Sequence, residues 1–210
     1  MNPYRVLGIC GSLRAESYNA ALLRAAIAAA PEGMEIEAYD ELRDLPHYDG
    51  DLDAPEQRPA RAAALRRRVE EVDGLLLVTP EYNCSMPGVL KNALDWLGTE
   101  GGPGERMPLT GKPVAITGAS PGAFGAVRAQ HAIRAVLFST GSDVVTRPEL
   151  AVHNCHQRFD GDGRLVDEMT VSLLGGLLRS LADRIDRWRA DEDELMTIAG
   201  ASAEAERKAS

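Results

Sequence analysis

The stretch Gly11-Ser12-Leu13-Arg14-Ala15-Glu16-Ser17-Tyr18-Asn19 gathers hydroxyl, amide and guanidinium donors behind a glycine. It follows a short apolar run at residues 6–10. It runs into Tyr18, Leu22, Leu23, Ala26 and Ile27, which recur at helical spacing. A loop that opens a helix presents unpaired backbone N–H groups and the positive end of the helix dipole, and both favour an anion. Ser12, Ser17 and Asn19 add neutral hydrogen bonds and Arg14 a charge-assisted one, so this chemistry suits a phosphate. The plainer alternative is that Ser17 only caps the helix and Arg14 is solvated. No Gly-Lys-Ser/Thr follows and no G-x-G-x-x-G occurs at this position, which argues against an ATPase loop.

A second loop, Thr79-Pro80-Glu81-Tyr82-Asn83-Cys84-Ser85-Met86-Pro87-Gly88, is stiffened by proline at both ends. Backbone N–H groups between the prolines can face a flat heterocycle while Tyr82 and Asn83 pack at its edge. A purely structural loop is the alternative. A third stretch, Gly118-Ala119-Ser120-Pro121-Gly122-Ala123-Phe124-Gly125-Ala126-Val127-Arg128-Ala129-Gln130, is also rich in glycine. Its first half resembles the nicotinamide-binding turn of short-chain dehydrogenases. That turn follows the first strand, however, and works with a Tyr-x-x-x-Lys pair, whereas none of the tyrosines here has lysine four residues on.

Taken together, the three loops resemble the signature of the NADPH-dependent FMN reductase family, which includes quinone, chromate and azo-dye reductases. The resemblance spans about residues 4–152. It implies a flavodoxin-like domain with a five-stranded parallel sheet in three α/β/α layers and a non-covalent FMN. It places Gly11, Ser12, Arg14, Ser17 and Asn19 on the phosphate, Pro80, Glu81, Tyr82 and Asn83 on the ring, and Ser120, Pro121 and Gly122 flanking it. NADPH or NADH is the implied donor, and a small molecule such as a quinone, flavin, azo dye or chromate the acceptor. Hydride chemistry resides at N5 of the flavin, so no side chain is required as catalytic acid or base. Alternating ping-pong use of one open face is expected, in a homodimer or homotetramer. A flavodoxin-type electron carrier shares fold and cofactor, but carriers usually sandwich the ring between aromatics from two loops. Only Tyr82 and Phe124 are candidates here. A flavin-containing scaffold without turnover would use the same binding residues.

Elements that could position these loops are legible from periodicity. Strands are expected at 6–10, 34–39, 74–78, 113–117 and within 142–152, and helices at 17–30, 60–72, 87–97, 126–138 and 167–189. Strands alternating with helices imply a doubly wound parallel sheet whose ligand lies beyond the strand C-termini. Residues 40–57 read as a long surface loop that borders the site. Lys91, Asn92 and Trp96 are assigned to packing, and so are Cys10 and Cys84. Arg66 and Arg67 are expected to pair with Glu70 and Glu71 on a solvated helix face. Residues 1–190 form one domain, and 191–210 a mobile tail or one used in subunit contact.

Net charge of −9 argues against nucleic acid as a partner. No run of apolar residues suits a membrane span, and no export signal is visible at the N-terminus. The three cysteines are too few and scattered for a disulfide framework, which points to the cytoplasm. His153, Cys155 and His156 match no common zinc spacing, so no metal is expected.

Overall fold

The computed structural model describes residues 3–102 and 104–209, with the side chain of residue 193 and those of 195–209 outside the description. Strands β1 (Tyr4–Cys10), β2 (Met34–Tyr39), β3 (Gly74–Val78) and β4 (Pro113–Ala119) alternate with helices α1 (Tyr18–Ala28), α2 (Ala60–Glu71), α3 (Gly88–Leu97) and α4 (Val127–Ser139). Short strands β5 (Asp143–Val144) and β6 (Leu150–Val152) and the long helix α5 (Glu168–Ala209) complete the chain. The sheet runs β2-β1-β3-β4-β5, with every pairing parallel. This is the flavodoxin-like order, in which the chain reverses direction at β1/β3 and leaves a crevice at the strand C-termini.

The three layers follow from side-chain alternation along β3, which is buried throughout. Leu76 and Val78 face Leu22 of α1 and Leu177 and Leu181 of α5. Leu75 and Leu77 face Leu65 of α2, Leu90 and Leu94 of α3 and Ile133 of α4. Leu174, Leu177, Leu178, Leu181 and Ile185 recur at three- and four-residue spacing, the buried stripe of an amphipathic helix. Where one last strand was expected within 142–152, two segments share the edge of β4: β5 pairs with Pro113 and Val114, and β6 with Thr117 to Ala119. Pro148, between them, lacks the N–H a continuous ladder needs. Helix α5 also runs past residue 189, the expected end. Most side chains of the expected tail lie outside the described residues.

The stretch at residues 40–57 is more ordered than a surface loop. It contains short 3-10 turns at Glu41–Asp44 and Gly50–Leu52, and it buries Leu42, Leu45 and Asp53. Asn92 and Trp96 hold it, both donating to the Pro46 carbonyl at 2.9 Å, and Asn92 Oδ1 accepts from the Tyr48 amide at 2.8 Å. Both residues therefore pack as expected. Lys91 instead pairs with Asp95.

The expected solvated face of α2 needs correction at Arg66, whose side chain is 2% exposed, and in the second pair, since Glu71 meets Arg68 and not Arg67. The Arg66 guanidinium reaches across to α3 and donates to the carbonyls of Trp96 (2.8 Å) and Thr99 (3.0 Å). Beside it Arg58 donates to Asp53 Oδ1 at 2.9 Å and grips Glu105 with two bonds of 2.8 and 2.7 Å. Gly101, at φ +75°, wraps the guanidinium so closely that a Cβ there would lie 2.0 Å from Arg58 Nη2. These ions fasten the 40–57 segment to the glycine-rich stretch after α3.

At the opposite end of the sheet Lys112 is buried, donates to the Val72 carbonyl at 2.7 Å and lies 4.6 Å from the Trp188 ring centroid. Burial pushes its ammonium down to about 8. The folded pKa thus lies below the unfolded value of about 10.4. Between these values the unfolded chain holds a proton that the folded chain has lost, so stability rises with pH across that window. The Lys112→Met variant is expected to lack this rise, which is on the order of 2 kcal/mol. Urea unfolding of both proteins from pH 7.5 to 10 tests it. Parallel curves would contradict the assignment.

Candidate functional site

Strand β1 ends on Cys10, and Gly11 continues its pairing by donating to the Val78 carbonyl at 2.8 Å. From Ser12 to Glu16 the backbone N–H groups find no acceptor among the described residues. Ser17 then caps α1, its Oγ accepting from the amides of Asn19 (3.1 Å) and Ala20 (3.3 Å). Arg14 has no carboxylate within salt-bridge distance among the described residues. The loop is therefore a row of unanswered donors at a helix N-terminus, which is what a phosphate dianion requires.

The second loop leaves β3 as a two-residue hairpin turn. Tyr82 and Ser85 exchange amide and carbonyl bonds of 3.0 Å, and Asn83 (φ 49°) and Cys84 (φ 62°) between them adopt the left-handed region. Two successive positive φ values define a type I′ turn, whose tightness is suited to Asn at its first central position. The amides of Asn83 and Cys84 have no acceptor among the described residues and remain available to the edge of a ring. Cys84 is exposed, contrary to the packing role expected for it. Cys10 is half-buried, and desolvation raises its thiol above the usual range.

The third loop is fastened on both sides. A Cβ at Gly118 would lie 2.1 Å from the Thr79 carbonyl oxygen, so β3 and β4 approach here closer than any side chain permits. Gly125 (φ +55°) meets the backbone of Ala151 and His153 in the same way, at 2.8 Å. Ser120 donates to the Val152 carbonyl (3.0 Å) and accepts from the Cys155 amide (3.2 Å), and Gly122 accepts from Asn154 (3.2 Å). Residues 153–156 thus serve as a backbone support for the loop. Burial pushes the Cys155 thiol up to about 11, away from the thiolate a metal would need. Among the described residues no cluster of three or more His, Cys, Asp or Glu is positioned to hold a metal.

Three adjacent strands therefore bring the three expected loops to one edge. The side chains of two of the expected ligands also hold the loops together. Asn19 is buried, and its side chain forms a closed pair with Ala119, accepting from its amide at 2.8 Å and donating to its carbonyl at 3.0 Å. It joins the first loop to the third through its side-chain oxygen and one of its two amide hydrogens. The Glu81 carboxylate accepts from the amides of Arg128 (2.9 Å) and Ala129 (3.4 Å) and from the Arg128 guanidinium (2.9 Å). It caps α4, whose own N-cap, Ala126, makes no side-chain bond. Sequence reasoning missed Arg128, which also stacks 4.2 Å from the Phe124 ring centroid. Phe124 is 60% exposed and Tyr82 44%, so the two aromatics border an open face.

A nucleotide with a phosphate tail and a flat ring fits these donors. The unpaired amides at 12–16 suit its phosphate, and the free turn amides at 83 and 84 suit its heterocycle. Fold and site together define a flavodoxin-like α/β protein built to bind flavin mononucleotide. The model of the NADPH-dependent FMN reductase family matches residues 4–157, and the chain belongs to that family. It is 42% identical over 185 residues to an NAD(P)H-dependent FMN reductase of Pseudomonas aeruginosa, covering 88% of this chain and 97% of that one. It is 37% identical to a quinone reductase of Escherichia coli K12, over 87% of this chain and 96% of the relative. Among solved structures, the flavoenzyme NAD(P)H:(acceptor) oxidoreductase FerB of Paracoccus denitrificans superposes with a TM-score of 0.77 at 34% identity, covering 88% of this chain and 98% of FerB. The protein is thus an FMN-dependent oxidoreductase that draws electrons from a nicotinamide nucleotide. These relatives do not favour an electron carrier. No helix among the described residues is long and apolar enough to cross a membrane.

Proposed function

We propose that this reductase passes electrons from the nicotinamide nucleotide to quinones or similar small acceptors, which take turns at one open face. The observation that carries the proposal is the pairing of a fastened, donor-lined loop edge with the exposed aromatics Tyr82 and Phe124. Relatives named quinone reductase and 2-hydroxy-1,4-benzoquinone reductase support the acceptor class. When bound, FMN supplies two-electron acceptance and donation at N5. The chain's own part is to bind and orient. The amides of residues 12–16 with Ser12, Arg14 and Ser17 hold the phosphate. Pro80, Tyr82, Asn83, Ser120, Pro121 and Gly122 border the ring, and Gly11, Asn19 and Glu81 fix the three loops relative to one another. Anaerobic NADPH should bleach the flavin absorbance, and quinone should restore it, with parallel lines in double-reciprocal plots. Intersecting lines would mean that both substrates bind at once.

Arg14 gives the sharpest test of the phosphate loop. Loss of a charge-assisted bond is worth about 1.5–3 kcal/mol, so Arg14→Ala should weaken FMN about tenfold to a hundredfold without changing the melting temperature of the FMN-free protein. Unchanged affinity would assign the phosphate to backbone amides and hydroxyls alone. Assembly as a homodimer or homotetramer in the cytoplasm completes the reading. Support for the assembly is the exposure of large apolar side chains on the last two helices, Phe138 at 86% and Met169 at 73%. Sedimentation velocity measures the assembly directly.

A further inference from the structure

A cleft of about 310 Å³ opens beside the phosphate loop, between α1 and the segment that follows β2. It shares Ser12, Leu13 and Arg14 with that loop but extends away from the ring-binding loops, toward the β2 edge of the sheet. Its volume falls within the usual range for small-ligand pockets. Leu23 and Ile27 of α1 and Leu42 of the 3-10 turn supply an apolar wall, and Ile27 leaves 39% of its surface exposed there. Asp40 stands at the C-terminal end of β2, and Arg24 and Arg43 border the same space.

The charges around the cleft are unusual for this chain. Net charge is −9, and most arginines are matched to a carboxylate, as with Arg58, Arg61, Arg128 and Arg184. Arg24 and Arg43 have no carboxylate within salt-bridge distance among the described residues. Arg43 donates from Nη2 to the Leu13 carbonyl at 2.8 Å, which ties the turn to the phosphate loop and leaves the rest of its fork without a partner among the described residues. Asp40 likewise has no cationic partner among the described residues, and its neighbour Glu41 is already paired with Arg61 at 2.6 Å. An apolar slot, one carboxylate at the end of the second strand and two unmatched guanidinium groups form a specific combination. It suits a purine base, a ribose hydroxyl and a phosphate monoester, in that order.

We propose that this cleft binds the adenosine 2′-phosphate half of NADPH. The base lies against Leu23, Ile27 and Leu42, Asp40 accepts from the 3′-hydroxyl, the one hydroxyl left on that ribose, and Arg24 and Arg43 hold the 2′-phosphate. The proposal rests on the nicotinamide-nucleotide dependence of the family and adds where the donor is gripped and what selects its phosphorylated form. Two guanidinium groups against one carboxylate leave the cleft locally positive in an acidic protein, which draws in a polyanionic donor and favours NADPH over NADH.

The test uses FMN-loaded protein and the fragment 2′,5′-ADP, so that it reads binding without turnover. In calorimetric titration the wild type should bind 2′,5′-ADP at least tenfold more tightly than AMP. Arg24→Ala and Arg43→Ala should each weaken 2′,5′-ADP about tenfold or more, and Arg24→Ala, which has no bond to the phosphate loop, should retain the wild-type flavin content. Ile27→Glu, at a partly exposed helix position, should weaken it as well by placing a carboxylate on the slot for the base. In steady state, the ratio of KM for NADPH to KM for NADH should rise at least tenfold in the arginine variants. Absence of 2′,5′-ADP binding, equal affinity in wild type and variants, or an unmoved KM ratio would overturn the proposal. Failure of the open-face reading is seen separately, as flavin that NADPH does not bleach.

Discussion

Arg58→Ala is expected to lower the unfolding temperature by on the order of 10 °C. Removing one partner of a buried ion pair costs about 3–5 kcal/mol, and a chain of this size loses about 2–4 °C per kcal/mol. The Asp53 side chain is only 4% exposed, so the variant strands a carboxylate that can turn only to the hydroxyls of Thr99 and Tyr48. Glu105, 28% exposed, can recover water and contributes less to the loss. The double variant Arg58→Met with Asp53→Asn should regain part of the stability, because it removes the orphaned charge together with its partner. Differential scanning calorimetry of the three proteins settles the matter. Equal melting of Arg58→Ala and wild type would mean that water reaches Asp53.

Gly118→Ala should be nearly as damaging, and it strikes the flavin site itself. Overpacking usually costs about 1–3 kcal/mol. Here the added methyl would stand 2.1 Å from the Thr79 carbonyl oxygen, a backbone atom that pairing between β3 and β4 holds in place. A loss beyond about 3 kcal/mol is therefore expected. The two strands must part at the point where they present residues 80–83 and 120–122, so the purified variant should also lack flavin absorbance. Gly122→Ala is the control in the same loop, since its methyl would meet only Ser120 Oγ at 3.6 Å. Similar urea midpoints for the two variants would show that the strands yield at little cost.

Much of this architecture is legible in the sequence, for physical reasons that also mark where reading stops. Apolar periodicity locates β1, β3 and β4, and glycine or proline punctuates the loops after them, because those signals are local. What escapes is contact between residues far apart. Asn19 reads as a phosphate ligand because it stands beside Ser17. Its partner Ala119 lies 100 residues on, and an alanine backbone announces nothing. Glu81 reads as a ring neighbour, yet it caps a helix that begins with no capping side chain of its own, 47 residues later. Arg66 fits a solvated i,i+4 pair by spacing, and only the packing of α2 on α3 turns it inward. Cys84 is apolar enough to suggest burial until the hairpin places it at the tip of a turn.

The Glu81 cap also gives the site a polarity. Two helices begin at the outer loops of the site, and each would by itself attract an anion. At α4 that place is already filled by a carboxylate of the protein's own, which takes up the helix amides and the Arg128 guanidinium. At α1 only the neutral Ser17 hydroxyl has answered the helix, and the amides before it remain open. A ligand with one charged end and one flat end is thereby given a polarity. Of the two helix starts, the one after β1 is left open to the charged end, because the Glu81 carboxylate closes the other.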